Sequence, residues 1–381
     1  MSLAAKVILG FALILVSGCA HEVADFPSAP YSDVRHEERK QLGDILDKNV
    51  DAMRRLYQDI GPVFLANAEL CPRRALSLGF TTISDFDLPK DIQDVAYERA
   101  QLSSDPTVLG VIAGSEAWDK GVRTGDILVM LNGKRVRNSA DWRARVRKLS
   151  DRPAQLGFIR DGRAFDVTLH PVPSCNYRLI YVSGNHEINA YATGREIAIF
   201  QGTLDVLNDE ELTLVMAHEL AHNIMHHRRK KEDNFRIIEL TGSVVDVVTG
   251  SVGLGDPASQ LMNYLEVKLW SPKFEKEADY IGLYLVARAG GNIDSILSME
   301  RKMNAAIGDT DIKTDPLALR THPPSPERAV IAQKTLEEIR QKRLKGETLM
   351  PNLSTPWVFG QKYSYWDVED EDPWLDDDLN H

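Results

Sequence analysis

The sequence predicts an α+β protein in which helices with one apolar face surround a small β-sheet and enclose a β-rich insertion. Apolar residues recur at three- and four-residue steps from Asp33 to Ile60. Strong helical patterns follow at Leu204 to Arg229 and at Tyr264 to Ala289. Between about Leu102 and Pro173 the pattern instead changes to short strands separated by turn signals. The helical pattern therefore belongs to one domain that the β-rich segment interrupts.

Length and composition exclude several classes of protein. A chain of 381 residues suggests two or three domains, and 43% hydrophobic with 27% charged residues is typical of a globular protein with a real core. The mean hydropathy of -0.27 excludes a polytopic membrane protein. The net charge of -11 argues against a nucleic-acid binder. An acidic, aromatic tail over residues 346–381 holds nine acidic residues against one lysine and supplies -8 of that charge.

The N-terminus has the pattern of a secretory signal. Lys6 precedes ten almost entirely apolar residues, Val7 to Val16. This run is shorter than the roughly 20 residues that a membrane-spanning helix needs, so it predicts a signal peptide over residues 1–18. The end of the run, Val16-Ser17-Gly18-Cys19, resembles the bacterial lipobox, in which cleavage precedes a lipidated cysteine. The alternative is an ordinary signal that contains a cysteine by chance.

The lipobox interpretation fixes an expected location. It makes Cys19 the lipid anchor and residues 19–32 a linker. Ala20 stands where Asp would resemble a retention signal for the inner membrane, so we expect the outer membrane, facing the periplasm. In that oxidising compartment the two remaining cysteines, Cys71 and Cys175, are expected to pair, and the alternative is two buried thiols.

The domain boundaries follow from the helical and strand patterns of the sequence. The helical domain is expected to cover residues 33–101 and 174–345, and the insertion residues 102–173. The first helix is expected to end at Gly61-Pro62, because proline removes a hydrogen-bond donor. Within the insertion, Asn132-Gly133 and Asp161-Gly162 predict tight hairpins.

The insertion resembles a bacterial PDZ domain over about seventy residues. The matching stretches are Gly110 to Ala117, Lys120 to Leu128, Leu131-Asn132-Gly133 and Phe158 to Gly162. The resemblance implies that an extended peptide docks as an added strand. Only Val108 to Val111 is available as the loop that would receive a terminal carboxylate, so capture of a C-terminus stays open.

The chemistry is expected on the helix that contains His218-Glu219-Leu220-Ala221-His222. Histidines four residues apart project from one helix face, so both imidazoles can bind one zinc ion, with Glu219 as the general base. The alternative is an ordinary helix with surface His and Glu. The apolar residues around the motif favour the metal site, because in a buried helix these polar groups cost free energy unless something satisfies them.

A third ligand is expected from a later helix. Met225 and Arg228 stand where a metzincin needs Gly and His, which excludes that class. Glu275 and Asp279 lie four residues apart and share a helix face, so the first can bind zinc while the second holds a ligand histidine. Glu277 points away from that face and is interpreted as a solvated charge.

Four blocks are similar, in order, to zinc metallopeptidases of the CAAX-prenyl-protease and heat-shock-membrane-protease type, family forty-eight of the metallopeptidases. They are Asn189 to Ala192, Ile199 to His222, Glu275 to Asp279, and His322-Pro323-Pro324 with Glu327-Arg328. The resemblance implies a mostly helical gluzincin domain with one zinc per chain and Glu275 as third ligand. It implies His322 near the metal, as a transition-state donor or gating ligand, and Asn189 with Ala190 on an edge strand that pairs with substrate.

Several further expectations complete the sequence hypothesis. His226 and His227 follow the motif by one turn and are interpreted as structural. Ile237 to Leu254 is expected to form a helical lid or hairpin. The membrane helices of the resembled family are missing, so the chain looks like a soluble periplasmic branch with an inserted PDZ domain.

The predicted function is a lipid-anchored zinc endopeptidase that cleaves unfolded or misassembled polypeptides in the bacterial cell envelope, for quality control or outer-membrane assembly. One alternative is a chaperone or scaffold lipoprotein that binds peptides through its PDZ domain and keeps a vestigial zinc site. The intact Glu219 favours the enzyme, because a scaffold needs no general base. A small-peptide exopeptidase would need a charged pocket for a peptide terminus, which the sequence pattern does not locate.

Overall fold

A computed structural model describes residues 27–230, 271–308 and 325–353, and the structural statements below concern these residues. Five predicted features lie outside them: the signal peptide, Cys19, the segment Ile237 to Leu254, His322 and most of the acidic tail. The chain divides into two compact units, Met1–Gln41 and Leu42–His381. In the first unit, a short coil leads into the first turns of a long helix. No helix in the described ranges is long and apolar enough to cross a bilayer.

Helix α1 runs from Tyr31 to Ala66, past its expected end at Gly61-Pro62, so that prediction is wrong. An internal proline costs a helix about 3 kcal/mol. The next two residues, Val63 and Phe64, are buried, and burying such side chains contributes about 1.5–3 kcal/mol each. Gly61 also lies close to the β-rich segment, where an added Cβ would be 2.5 Å from Cγ1 of Ile112. Tertiary burial therefore outweighs the local cost of the proline.

The β-rich part contains three short 3-10 helices, at Ala68–Leu70, Asp85–Asp87 and Lys90–Ile92. Its strands and helices are β1 (Arg74–Ser77), β2 (Phe80–Ile83), α2 (Gln93–Ala100), β3 (Thr107–Val111), α3 (Glu116–Asp119), β4 (Ile127–Leu131), β5 (Lys134–Arg135), α4 (Ser139–Val146), β6 (Ala154–Arg160), β7 (Arg163–Leu169) and β8 (Val172–Cys175). One antiparallel sheet has the order β2-β3-β4-β6-β7, with β5 on β4. Its core extends from Leu78 to Leu169. The sheet therefore includes β2, which precedes the boundary expected near residue 102.

Two details of this sheet bear on the sequence predictions. Asn132-Gly133 and Asp161-Gly162 form the expected hairpins, and all four residues have positive φ, between 49° and 75°. Val108 to Val111 lies in β3, which is hydrogen-bonded to β2 on one side and β4 on the other. The stretch that was available to receive a terminal carboxylate is therefore part of a paired strand, and capture of a C-terminus stays open. The two edge strands of the sheet are β2 and β7.

The second part is mainly helical and has its own core. Its elements are β9 (Arg178–Val182), β10 (Ala190–Ala192), β11 (Glu196–Phe200), α5 (Gln201–Val206), α6 (Asp209–Ile224), α7 (Pro272–Arg288), α8 (Ile296–Gly308) and α9 (Pro326–Leu344). The sheet order is β10-β11-β9, with β10 antiparallel and β9 parallel to β11. Helix α6 packs against α7, β10 and β11, and α9 packs against α7. This arrangement places α6 at the centre of the domain.

The helix expected from Leu204 to Arg229 is divided into α5 and α6. Asn208 caps α6: its side chain accepts from the backbone N–H of Glu211, whose carboxylate accepts from the backbone N–H of Asn208. This reciprocal pair satisfies two backbone donors and starts a new helix at that point. Local capping therefore fixes where the helix with the metal motif begins.

Two antiparallel strands, β1 and β8, form the stems of the β-rich part. Arg74 pairs with Cys175 in the strand register, and Cys71 forms a disulfide with Cys175, with Cα atoms 5.4 Å apart. The disulfide joins residues separated by 104 positions. It therefore holds together the two points where the chain leaves and re-enters the helical domain.

Candidate metal centre

Helix α6 places both histidines of the motif on one face. The Nε2 atoms of His218 and His222 lie 3.0 Å apart, and their rings are 4.7 Å apart between centroids. His222 and Glu219 are each 1% exposed, because the helix is surrounded by the apolar core. Two imidazole nitrogens therefore point to a common position inside the protein, beside a buried carboxylate.

Helix α7 supplies the third donor. Its N-terminus is capped by Ser271, one turn before Glu275. Oε2 of Glu275 lies 3.4 Å from Nε2 of His218, and Oε1 lies 3.4 Å from Nε2 of His222. Within the described ranges this is the one group of three such side chains with donor atoms close enough, all within 4.8 Å of one another, to hold a metal ion.

The donor set suits zinc. Catalytic zinc sites have three protein ligands, often two histidines and a glutamate, and keep one position open for water or substrate. Two neutral imidazoles and one carboxylate would also give the bound cation a partner for one of its charges. Because Glu275 is 1% exposed, a cation between the three donors would offset the cost of burying that carboxylate.

Asp279, one turn after Glu275, holds His218 in place. Its Oδ1 accepts a hydrogen bond of 2.9 Å from Nδ1 of His218, which leaves Nε2 directed at the other donors. Arg328 on α9 binds both oxygens of Asp279, at 2.6 and 2.7 Å, and reaches Glu275 at 3.3 Å. The structure therefore brings Asp279 to the histidine, together with Arg328, a residue to which the sequence pattern assigned no role.

The charges of this group shift its pKa values. Burial alone would lower the pKa of His218, but hydrogen bonds to Asp279 and Glu275 outweigh burial and raise that pKa to about 10. Burial alone would raise the pKa of Asp279, but hydrogen bonds from His218 and Arg328 outweigh burial and hold that pKa below its ordinary value. Without a metal, His218 therefore binds a proton tightly, and a metal ion must displace it.

Two residues beside the motif have different surroundings from those expected. His227 is fully buried, and its Nδ1 lies 2.8 Å from Nδ1 of His222. Glu277 binds Nε2 of His227 at 2.9 Å, so its interpretation as a solvated charge is wrong. His226, with φ of 54°, ends the helical path and turns the next residue back. On a continuous helix a residue five positions on would point elsewhere, which is why spacing alone missed this contact.

The predicted substrate strand lies at a sheet edge. Ala190 begins β10, an edge strand of the three-stranded sheet, and Asn189 directly precedes it. The backbone oxygen of Asn189 accepts from Phe200 N and from the Thr203 hydroxyl.

Asn223, the residue after the second histidine, connects the hairpin of β10 and β11 to α6. Its side chain accepts from Gly194 N at 2.6 Å and donates to the carbonyl of Glu196 at 2.9 Å.

The chain is similar to known metallopeptidases. Residues 165–336 match the model of peptidase family M48. The mitochondrial metalloendopeptidase OMA1 of Schizosaccharomyces pombe is 30% identical over 182 residues, 44% of this chain and 52% of that protein. The protease HtpX of Legionella pneumophila (strain Lens) is 28% identical over 152 residues, 36% of this chain and 47% of that protein. The chain therefore spans about half the length of these two relatives.

One solved structure was also similar in part. A crystal structure of the HtrA3 PDZ domain bound to a phage-derived ligand aligns with 26% of this chain and 89% of that chain, at 20% identity. Its TM-score of 0.22 is too low to show a shared fold. The family match instead covers both histidines of the motif, Glu275, Asp279 and Arg328. Residues 165–336 are therefore similar to peptidase family M48, and the matched part contains the three side chains that could hold a metal ion.

Proposed function

We propose that this protein is a zinc-dependent endopeptidase of the bacterial cell envelope that cleaves unfolded or misassembled polypeptides. The observation that carries the proposal is the convergence of His218, His222 and Glu275 beside the buried Glu219. When bound, zinc would act as a Lewis acid that activates water and polarises a carbonyl group. Glu219 would take a proton from the attacking water and deliver it to the leaving amine.

The edge strand β10 is placed to bind an extended substrate by backbone pairing. An edge strand presents backbone groups that can pair with another chain, and β10 packs directly against α6. A peptide paired along β10 would lie beside the helix with the metal motif. Selection of an extended backbone, rather than of a particular side chain, is what cleavage of unfolded polypeptides requires.

The catalytic part of the proposal is tested with Glu219→Gln in the purified protein. The amide keeps the shape of the side chain but cannot accept a proton, so casein hydrolysis should fall on the order of 10²-fold or more. Zinc content should stay near one per chain. Glu275→Gln is the matched variant, and it should lose zinc as well as activity. Equal casein hydrolysis by the wild type and Glu219→Gln would contradict the proposed endopeptidase activity and favour the alternative, a peptide-binding scaffold.

We also propose that the β-rich part docks long substrates at its edge strand β2. The support is its position, because β2 pairs with β3 on one side and ends the sheet on the other. A deletion of residues 78–171 can test this, since Ser77 and Val172 are paired neighbours in β1 and β8 and a short Gly/Asn turn can join them. Cleavage of a short unstructured peptide should survive, whereas cleavage of casein should fall. Loss of both activities in a folded variant would show that this part builds the cleft.

Envelope location is proposed from the N-terminal pattern alone, with Cys19 as a lipidated anchor in the outer membrane. A Cys19→Ala variant expressed in a Gram-negative host should move from the membrane fraction to the soluble periplasmic fraction. Unchanged membrane association of that variant would contradict lipid anchoring.

A further inference from the structure

The two ligand histidines are held in different ways. His218 donates directly to the carboxylate of Asp279. His222 instead contacts a second imidazole, that of His227, with 2.8 Å between the two Nδ1 atoms. The other nitrogen of His227 lies 2.9 Å from the carboxylate of Glu277. On the Nδ1 side of each ligand histidine there is therefore a carboxylate: Asp279 contacts His218 directly, and Glu277 is connected to His222 through His227.

The chain of contacts fixes where the protons lie. An ionised Glu277 can only accept, so Nε2 of His227 donates to it. Nδ1 of a neutral His227 must then accept, and the donor is Nδ1 of His222. A neutral histidine that donates from Nδ1 keeps the lone pair on Nε2. In His222 that nitrogen lies 3.4 Å from Oε1 of Glu275, on the side of the metal site.

The surroundings of His227 keep this arrangement rigid. Its ring stacks on Phe274, with 4.4 Å between centroids and 8° between planes, and its side chain is fully buried. His226 takes the left-handed conformation that turns the ring back towards α6. Glu277 is held by α7, the helix that also provides Glu275. One rigid helix therefore positions both the third metal ligand and the carboxylate end of the chain.

We propose that Glu277 and His227 form a positioning pair that holds His222 in the tautomer and orientation required to bind zinc. The proposal rests on the zinc site of the proposed function and deepens it. Partners of this kind behind metal ligands typically contribute 10–100-fold to metal affinity. Neither residue is among the three metal donors, so we expect the effect of the pair in zinc affinity itself.

The test measures the zinc dissociation constant of the full chain by competition with a chelator. His227→Phe keeps an aromatic ring on Phe274 but cannot hydrogen-bond, and zinc affinity should fall 10–100-fold. His227→Gln can still accept from His222 and donate to Glu277, so it should recover much of that loss. Glu277→Leu should lower the affinity for zinc about 10-fold. Glu277→Gln should lower it less, because the amide oxygen can still accept the hydrogen bond from His227. The absorption spectrum of the cobalt-substituted protein should change in His227→Phe.

The matched control is His226→Asn, which removes the neighbouring imidazole while Asn tolerates the positive φ. It should bind zinc as the wild type does. Zinc affinity of folded His227→Phe within twofold of the wild type would overturn the proposal, as would equal losses in His227→Phe and His227→Gln. If His227→Phe does not fold, the zinc affinities of Glu277→Leu and Glu277→Gln answer the same question. These variants are expected to fold, because Glu277 is partly exposed. A wild type that binds no zinc would instead contradict the proposed function, and with it this pair.

Discussion

Gly282 on α7 lies directly against the backbone of His218 on α6. A Cβ added to Gly282 would be 3.1 Å from the nitrogen and 3.2 Å from the Cα of His218. Backbone atoms cannot move aside as the end of a long side chain can. The absence of a side chain at Gly282 therefore sets the distance between the helix that provides Glu275 and the helix that provides the histidines.

Gly282→Ala should separate the two helices by a few tenths of an ångström and weaken zinc binding about 10-fold, through the altered geometry of the three donors. Gly43→Ala is the matched control in helix α1, where the atoms nearest to the new Cβ would belong to the flexible side chain of Arg99, the first at 3.4 Å. It should be neutral or slightly stabilising. Chelator competition and thermal unfolding measure both effects. Unchanged zinc affinity in Gly282→Ala would show that the contact is not limiting.

Zinc binding should release a proton from His218. The pKa of about 10 means that the metal-free residue is protonated at neutral pH, whereas a ligand imidazole must be neutral. Affinity should therefore rise about tenfold per pH unit from pH 6 to 8. Titration calorimetry in buffers of different ionisation enthalpy counts the protons directly.

Asp279→Asn serves as the comparison for proton release. It removes the charge that raises the pKa of His218, so fewer protons should be released. A binding enthalpy that does not depend on the buffer, in the wild type, would contradict the prediction.

Asp59 on α1 should make the protein less stable as the pH rises. Burial and the charge of Asp209 raise its pKa to about 7, against the opposing effect of Arg55. The folded state therefore binds this proton more tightly than the unfolded state, whose carboxyl has a pKa of about 3.9. Stability should fall between about pH 4 and pH 7 and stay low above pH 7.

Asp59→Asn should remove most of that dependence. The free energy of unfolding at pH 8 should increase by about 1–3 kcal/mol, with a much smaller change at pH 5. Asp51→Asn is the control, because Asp51 is an exposed carboxylate of the same helix that pairs with Arg54. Denaturant titrations at the two pH values measure the difference. A larger stabilisation at pH 5 than at pH 8 would contradict the assigned sign.

Loss of the disulfide should destabilise the whole helical domain. Cys71 and Cys175 close a loop of about a hundred residues, and removing such a crosslink typically costs about 2–4 kcal/mol. The Cys71→Ala, Cys175→Ala variant should therefore unfold at lower denaturant concentration than the wild type. Mass spectrometry of non-reduced peptides checks the bond itself. Free thiols at both positions in protein exported to the periplasm would disprove it.

Local sequence patterns were enough to predict the features that depend on neighbouring residues. His218 and His222 share a face because four residues make about one helical turn, and Glu275 with Asp279 follows the same rule on α7. Asn132-Gly133 and Asp161-Gly162 specified their hairpins because these residues accept positive φ. In each case the information lies within about five residues of the chain.

Contacts between distant segments could not be predicted from such patterns, because they depend on how the chain packs. Spacing could not show that His227 leaves the helical path and lies under His222, or that Glu277 reaches it across 50 positions of sequence. Nor could it show that β2 lies at one edge of the six-stranded sheet and β7 at the other, since strand order depends on pairing between segments that are far apart. Helix α1 passes through Pro62 for the same reason: burial of Val63 and Phe64 is a property of the packed core, and it outweighs a local preference of about 3 kcal/mol.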